Sequence, residues 1–187
     1  MIHLALIVAI AWLSPTPAIT TPNITTPPTT PTDPVAVYHE LDGTWRGTFV
    51  GFDAAGRELY RIRVEQVYET VDATTQRVRV KDTMPDGTVI TGEGENTARR
   101  RPDGSLELRC VVRKSNGERV EHAGRVVRGP GGGSALVWHS RSTDRTETFL
   151  EQVRTVGERT LYEINGMGQY GGSAMLMQGR YVRQADS

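Results

Sequence analysis

The feature that most constrains the fold is the stretch 41–52, Leu-Asp-Gly-Thr-Trp-Arg-Gly-Thr-Phe-Val-Gly-Phe. Trp45, Gly47, Phe49 and Gly51 occupy alternate positions, which is the period of a β-strand. Glycine within a strand lets the chain bend or lets another backbone approach closely. A bulky residue followed on the same face by small ones therefore predicts the first strand of a strongly curved sheet.

After residue 34 the chain consists of short alternating segments separated by turn residues. Residues 57–69 alternate apolar with charged side chains, and Asn116-Gly117 is a strong hairpin sequence because both residues tolerate a positive φ. No segment has the sustained 3.6-residue apolar period of an amphipathic helix, so we expect little helix. About ten such segments joined by hairpin-length loops predict an all-β fold, an antiparallel up-and-down β-barrel. Closure removes the exposed edges of an open sheet, and a β-sandwich would need longer connections.

The first part of the sequence predicts export. Residues 1–18 contain an apolar run followed by small residues, as in a signal peptide, and the run is shorter than the roughly 20 residues that span a membrane. Residues 19–34 are rich in Thr and Pro and predict an extended linker, and residues 35–187 hold the predicted barrel domain. We expect a secreted or periplasmic protein with no stable membrane span after signal cleavage. Because no Lys or Arg precedes the apolar run, a membrane anchor and a misassigned start stay open as alternatives.

The composition excludes several classes of protein. Lys and Arg number 22, as do Asp and Glu, so no basic field recruits nucleic acid and no nucleic-acid partner is expected. Cys110 is the single cysteine of the sequence, which excludes an internal disulfide and a zinc site built from cysteines. It alternates with apolar residues, so we expect a buried, unreactive thiol. We predict no metal site and no cofactor.

The candidate ligand-binding residues are aromatic, amide and imidazole side chains on the predicted strands. They are Tyr60, Gln66, His122, Trp138, His139 and Tyr162. Aromatic surface suits an apolar or amphipathic molecule, and hydroxyl groups on the rings can orient it. Gln66, Gln152 and Gln178 are also candidates for interior positions, and buried amides favour a partly wet cavity because they need partners.

No catalytic residue emerges from the sequence. Glu93, Glu95 and Glu147 invite comparison with paired catalytic carboxylates, but strand alternation places Glu93 and Glu95 together on one face beside water. There is no nucleophile elbow and no phosphate-binding loop that opens a helix. Three alternatives to ligand binding stay open: a filled barrel that acts as an interaction or inhibitor module, a haem-binding barrel that uses His122 or His139, and an enzyme acting on a bound small molecule.

The tripeptide Gly43-Thr44-Trp45 matches the Gly-x-Trp signature that opens the first strand in the calycin superfamily of lipocalins, fatty-acid-binding proteins, avidins and nitrobindin-like barrels. From about residue 35 to 187 the chain resembles a lipocalin-like or nitrobindin-like bacterial barrel of uncharacterised function. The resemblance implies that Gly43 and Trp45 form a structural motif, with Arg180 or Arg183 of the last strand packed over the Trp. It also implies a small apolar or amphipathic ligand inside the barrel. The chain departs from the pattern because it lacks the disulfides of secreted lipocalins, the helical lid of fatty-acid-binding proteins and any histidine after His139 to hold a haem.

Overall fold

The architecture was determined from a computed structural model, in which the described residues are 34–128, 134–142 and 145–185. The predicted signal peptide and all but the last residue of the predicted linker lie outside these residues, as does the glycine-rich loop 129–133. No helix in the described ranges has both the length and the apolar character needed to cross a membrane.

Ten antiparallel strands form one closed sheet. They are β1 (Gly43–Asp53), β2 (Glu58–Thr70), β3 (Thr75–Thr83), β4 (Val89–Arg100), β5 (Leu106–Lys114), β6 (Arg119–Arg128), β7 (Ser134–Arg141), β8 (Arg145–Val156), β9 (Arg159–Tyr170) and β10 (Ser173–Arg183). Each strand pairs with the next along the chain, and β1 pairs with β10 to close the barrel. The predicted fold, an up-and-down barrel of about ten strands with little helix, is confirmed.

Closure between β1 and β10 depends on a glycine. Trp45 lies opposite Arg183 at one end of this pair, and Asp53 lies opposite Met175 at the other. A Cβ atom on Gly47 would overlap the backbone carbonyl of Arg180 on β10. The first strand therefore carries glycine on its inner face because the last strand approaches its backbone too closely for a side chain.

One end of the barrel is covered by a short 3₁₀ helix, Pro34–Leu41, which we call the cap helix. Its side chains Val35, Tyr38 and Leu41 are buried against the barrel core. Tyr38 stacks on Trp138, with ring centroids 6.3 Å apart, and its hydroxyl donates to the backbone carbonyl of Thr97. The sequence did not indicate this helix because eight residues are too few to display a helical period. We call this the capped end, and the opposite end the mouth.

Trp45 joins the cap helix to the barrel. The ring is fully buried, and Nε1 donates to the carbonyl oxygen of Leu41 at 2.6 Å. The Arg183 guanidinium lies over the ring at 4.7 Å from its centroid, and Arg183 also donates to the carbonyl oxygen of Glu40. Arg180, the other candidate for this position, instead forms an ion pair with Glu163 on the outer face. Trp45 therefore contacts the last residue of the cap helix and the end of the last strand at once.

A buried hydrogen-bond network completes the capped end. Gln76 is fully buried, and its Nε2 donates to the carbonyl oxygen of Tyr38 and to Asp42 Oδ1, both at 2.9 Å. Its Oε1 accepts from Asn96 Nδ2 at 2.9 Å. Asp42 also accepts from the backbone N and the hydroxyl of Thr70, at 3.0 and 2.8 Å. Buried polar groups that are paired in this way specify one arrangement of the elements that carry them.

Candidate functional site

The barrel interior holds a cavity of about 490 Å³ that extends from above the cap helix to the mouth. This volume lies in the range of about 300–1,000 Å³ that is usual for small-molecule sites. Its middle section is apolar because inward positions of several strands carry apolar side chains. These are Phe49, Ile62, Val80, Val112, Phe149 and Met177.

Three inward aromatic rings pack against a glycine directly opposite on the neighbouring strand. The pairs are Tyr60 with Gly51, Trp138 with Gly124, and Phe149 with Gly166. A Cβ atom on any of these glycines would overlap the paired ring. The missing side chains give the rings room against the wall, so that the centre of the barrel stays open.

Charged side chains form a network around the mouth. Arg145 donates to Glu118 at 2.9 Å and to Glu147 at 2.7 Å. Lys114 lies 2.9 Å from Asp82 and 3.5 Å from Glu118. All five residues line the cavity. The polar part of the cavity is thus a set of connected ion pairs, in which each of the two cations contacts two carboxylates.

Glu147 is the most highly connected member of this network. Its carboxylate accepts hydrogen bonds from Ser140 at 2.8 Å, from Arg145 and from the Tyr170 hydroxyl, and His122 Nε2 lies 3.3 Å away. Burial alone would raise the pKa of Glu147, but the hydrogen bonds from His122, Arg145 and Tyr170 outweigh it and lower the pKa to about 2. Glu147 is therefore ionised at neutral pH and holds His122 and Arg145 in place.

The floor of the cavity, next to the cap helix, has a different character. Tyr68 and Trp138 form its aromatic walls, and Asn96, Cys110 and Glu151 place polar atoms between them. Burial raises the pKa of Cys110 to about 12, so the thiol stays protonated. Burial also raises the pKa of Glu151, opposed by hydrogen bonding with Trp138 and the buried Tyr162. The floor combines aromatic surface with a carboxyl group that burial disfavours as an ion.

Four of the six sequence-predicted ligand residues come together in the cavity. Tyr60, Gln66, His122 and Trp138 all line it, because each occupies an inward position on its strand. Tyr60 and His122 lie towards the mouth, and Trp138 forms part of the floor. Gln66 accepts a hydrogen bond from the Tyr68 hydroxyl at 3.3 Å.

The structure places the other two predicted residues elsewhere. Tyr162 is buried beneath the floor, with its ring centroid 5.5 Å from that of Trp45. His139 lies on the outer face, where Nδ1 is 3.0 Å from the Thr148 hydroxyl. Neighbouring residues on a strand point to opposite faces, so the inward position of Trp138 turns His139 outward.

The interior positions expected for two glutamines are wrong. Gln152 follows the inward Glu151 and is exposed on the outer face. Gln178 also points outward, where Nε2 donates to Asn165 at 3.3 Å. Among the three glutamines considered, only Gln66 contributes an amide to the cavity.

Sequence reasoning missed most of the polar residues of the cavity. The missed residues are Asp82, Asn96, Lys114, Glu118, Arg145 and Glu151, while Glu147 was considered only as an enzyme carboxylate. A signal was present in β8, where Arg145, Glu147 and Glu151 share the parity of the apolar Phe149. Charged residues at inward positions of a strand indicate a polar interior, and this pattern was available without the structure.

The described residues contain no group of three or more His, Cys, Asp or Glu side chains placed to hold a metal ion. His122 Nε2 faces Glu147, and His139 lies outside the barrel. Neither geometry favours the alternative in which one of these histidines holds a haem.

No family model matches the chain, and no curated protein matches it in sequence. Among solved structures, the S-type phycobiliprotein lyase from Guillardia theta superposes with a TM-score of 0.59 at 11% identity, over 81% of this chain and 93% of the lyase. A de novo designed fluorescence-activating β-barrel is 17% identical over 81% of this chain and 98% of its own, with a TM-score of 0.39. Lobster apocrustacyanin A1 is 11% identical over 79% of this chain and 62% of its own, with a TM-score of 0.32.

The superposition on the lyase is a similarity of fold. Together with the closed sheet of ten strands, it shows that this chain and the lyase share a barrel fold, the kind of fold that the resemblance at Gly43-Thr44-Trp45 implied. The function of the chain has to be argued from its own cavity, because one fold of this kind serves many functions.

Proposed function

We propose that this chain is a secreted or periplasmic binding protein that holds one small apolar or amphipathic molecule inside the barrel. The observation that carries the proposal is the cavity of about 490 Å³, which is apolar in its middle and polar at both ends. The export component rests on the predicted signal peptide, residues 1–18.

The division of the cavity lining supports an amphipathic ligand. Phe49, Phe149 and the aliphatic residues between them offer apolar surface, and removal of that surface from water drives binding. The ion network at the mouth and the polar atoms of the floor offer orienting contacts. A filled barrel that acts only through its surface does not account for an interior of this size.

The first test is binding of a neutral hydrophobic fluorophore, N-phenyl-1-naphthylamine, to protein purified from cells that express the full chain. We expect saturable one-to-one binding with enhanced fluorescence. Native mass spectrometry and an absorption spectrum of the same preparation would detect a co-purified ligand, including haem.

The matched variants are Ile90→Trp and Val89→Trp, neighbours on β4 that face opposite sides of the wall. Ile90 lines the cavity, whereas Val89 is 47% exposed on the outside. Because an indole at position 90 occupies ligand volume, we expect the affinity to fall by at least about tenfold, and Val89→Trp to leave it unchanged. Equal affinity in a folded Ile90→Trp variant, or no saturable binding by the wild type, would contradict the proposal.

A further inference from the structure

The floor of the cavity contains a hydrogen-bond acceptor that lacks a donor. Asn96 is 3% exposed, and its Nδ2 donates to Gln76 Oε1. Gln76 Nε2 is committed to the carbonyl of Tyr38 and to Asp42, which fixes the orientation of both amides. Asn96 Oδ1 consequently lies at the floor with no partner among the described residues. A buried acceptor left in this state costs stability, and a ligand that brings a donor removes the cost.

A carboxyl group lies on the same floor. Glu151 projects inward from β8, with Trp138 and Tyr162 as hydrogen-bonding neighbours, and within the described ranges it forms no ion pair. The basic group that acts on it electrostatically is His122, on β6. Without a bound cation, the low polarity of the site disfavours the ionised form of this carboxyl.

The permanent cations of the cavity lining lie at the mouth, and each is already paired. Lys114 contacts Asp82 and Glu118, and Arg145 contacts Glu118 and Glu147, with only Arg145 Nε left unpartnered in the described structure. The described lining holds two such cations against four carboxyl groups, Asp82, Glu118, Glu147 and Glu151. An anionic ligand would therefore meet an excess of acidic groups, and a cationic ligand would be attracted.

The aromatic rings around the floor also favour a positively charged ligand. Tyr68, Trp138 and Tyr181 surround it with aromatic rings, and all three side chains are buried. The faces of such rings attract cations, more strongly where water is excluded. The lone acceptor, the carboxyl group without an ion pair and the rings are complementary to one kind of ligand group.

We propose that the ligand is an organic cation with an apolar or aromatic body, whose protonated nitrogen lies on the floor against Asn96 Oδ1 and Glu151. An N–H of the ligand donates to Asn96, and its charge pairs with the Glu151 carboxylate. The body extends along the apolar middle section towards the mouth. This inference rests on the proposed function, since it names the chemical class that the cavity selects.

The test compares three probes that share one aromatic body: 2-(1-naphthyl)ethylamine, 2-(1-naphthyl)ethanol and 1-naphthylacetate. Their affinities for the full chain are measured by titration calorimetry near neutral pH, where the first is cationic, the second neutral and the third anionic. We expect the amine to bind at least about tenfold more tightly than the alcohol, and the carboxylate to bind most weakly.

Two substitutions test whether the preference for the amine over the alcohol arises at the floor. Glu151→Gln removes the inward carboxylate, and we expect the advantage of the amine over the alcohol to fall to about twofold or less, with little change for the alcohol. Glu95→Gln is the matched control, because it makes the same side-chain substitution at an exposed position on the outer face of β4. We expect Glu95→Gln to keep the wild-type ranking.

Each outcome separates this inference from the function it rests on. If the alcohol binds as tightly as the amine in the wild type, the ligand class is wrong and binding inside the barrel stands. If no probe binds saturably, both proposals fail. If Glu151→Gln folds and keeps the full preference for the amine, the assignment to the floor is overturned. The wild-type ranking alone decides the ligand class if that variant does not fold.

Discussion

The two ends of the barrel are completed by different kinds of polar interaction. At the capped end, Gln76 and Asn96 join neutral amides to Asp42 in a buried network beneath the cap helix. At the mouth, Arg145 and Glu147 belong to a network of ion pairs, in which the Arg145 side chain is 33% exposed. Charges are expensive to bury, whereas an amide paired at both its nitrogen and its oxygen, as in Gln76, is not. The end that fixes the architecture therefore relies mainly on buried amides joined to one carboxyl group, and the end that meets solvent uses a network of ion pairs.

This difference implies different sensitivities. The capped end depends on packing and on the buried amides of Gln76 and Asn96, which do not titrate. The mouth depends on carboxylates that acid can neutralise. Substitutions can therefore perturb one end at a time.

The largest effect is expected from Trp45→Ala at the capped end. The substitution removes a fully buried ring that packs on the cap helix and Tyr162, and we expect a loss of about 3–5 kcal/mol in the free energy of unfolding. Urea unfolding followed by circular dichroism gives the value. Trp45→Phe, which keeps an aromatic ring but loses the bond to Leu41, should cost less. Near-wild-type stability of Trp45→Ala would show that the capped end does not depend on this residue.

A smaller loss of unfolding free energy is expected from Gln76→Leu, which keeps a side chain of similar volume but breaks the buried hydrogen-bond network. Asn96 Nδ2 and the carbonyl of Tyr38 would lose their partner, and an orphaned buried polar group costs about 1–3 kcal/mol. The control is Gln169→Leu on the exposed face of β9. The same urea assay should show a clear loss for Gln76→Leu and almost none for the control. Equal stabilities would mean that the amide network contributes nothing.

The smallest expected effect is the loss of stability that acid causes at the mouth. The pKa of Glu147 is about 2 in the folded protein against an ordinary value of 4.5, so its stabilising contribution is complete above about pH 4.5 and is lost as the pH falls towards 2. Between pH 4.5 and pH 2, we expect the free energy of unfolding to decrease less for Glu147→Gln than for the wild type. The difference should be on the order of 1–2 kcal/mol. Urea unfolding at several pH values measures the difference, with Glu95→Gln as the control. Parallel pH profiles for wild type and Glu147→Gln would contradict the ionised state inferred for the mouth.

The sequence was sufficient to predict the barrel because strand alternation and turn residues are local patterns. The alternation through Tyr60 and Gln66 identifies the inner face of β2, and Asn116-Gly117 marks a hairpin without reference to the remaining chain. The cap helix could not be found in this way. It is held by contacts with distant residues, such as the bond from Val35 N to the carbonyl of Ala73.

The candidate site was harder to predict because it depends on which strands meet inside the barrel. Residue type favours His139 as a ligand-binding side chain, but alternation allows only one of Trp138 and His139 to face inward. Asn96 and Glu151 belong to β4 and β8, and nothing local in either segment indicates that both reach the same floor. Closure brings them there, and closure is a property of the complete set of strands.

The three glycine–aromatic pairs have a further consequence, which concerns how a ligand enters. A ring such as that of Trp138, seated against the backbone of Gly124, has few other rotamers available, so the cavity keeps its shape. We therefore expect a ligand to find the walls already in the arrangement that binds it, with no prior rearrangement. For the proposed ligand we expect association in a single step, whose observed rate rises in proportion to ligand concentration. Differences in affinity between ligands should then appear in their dissociation rates.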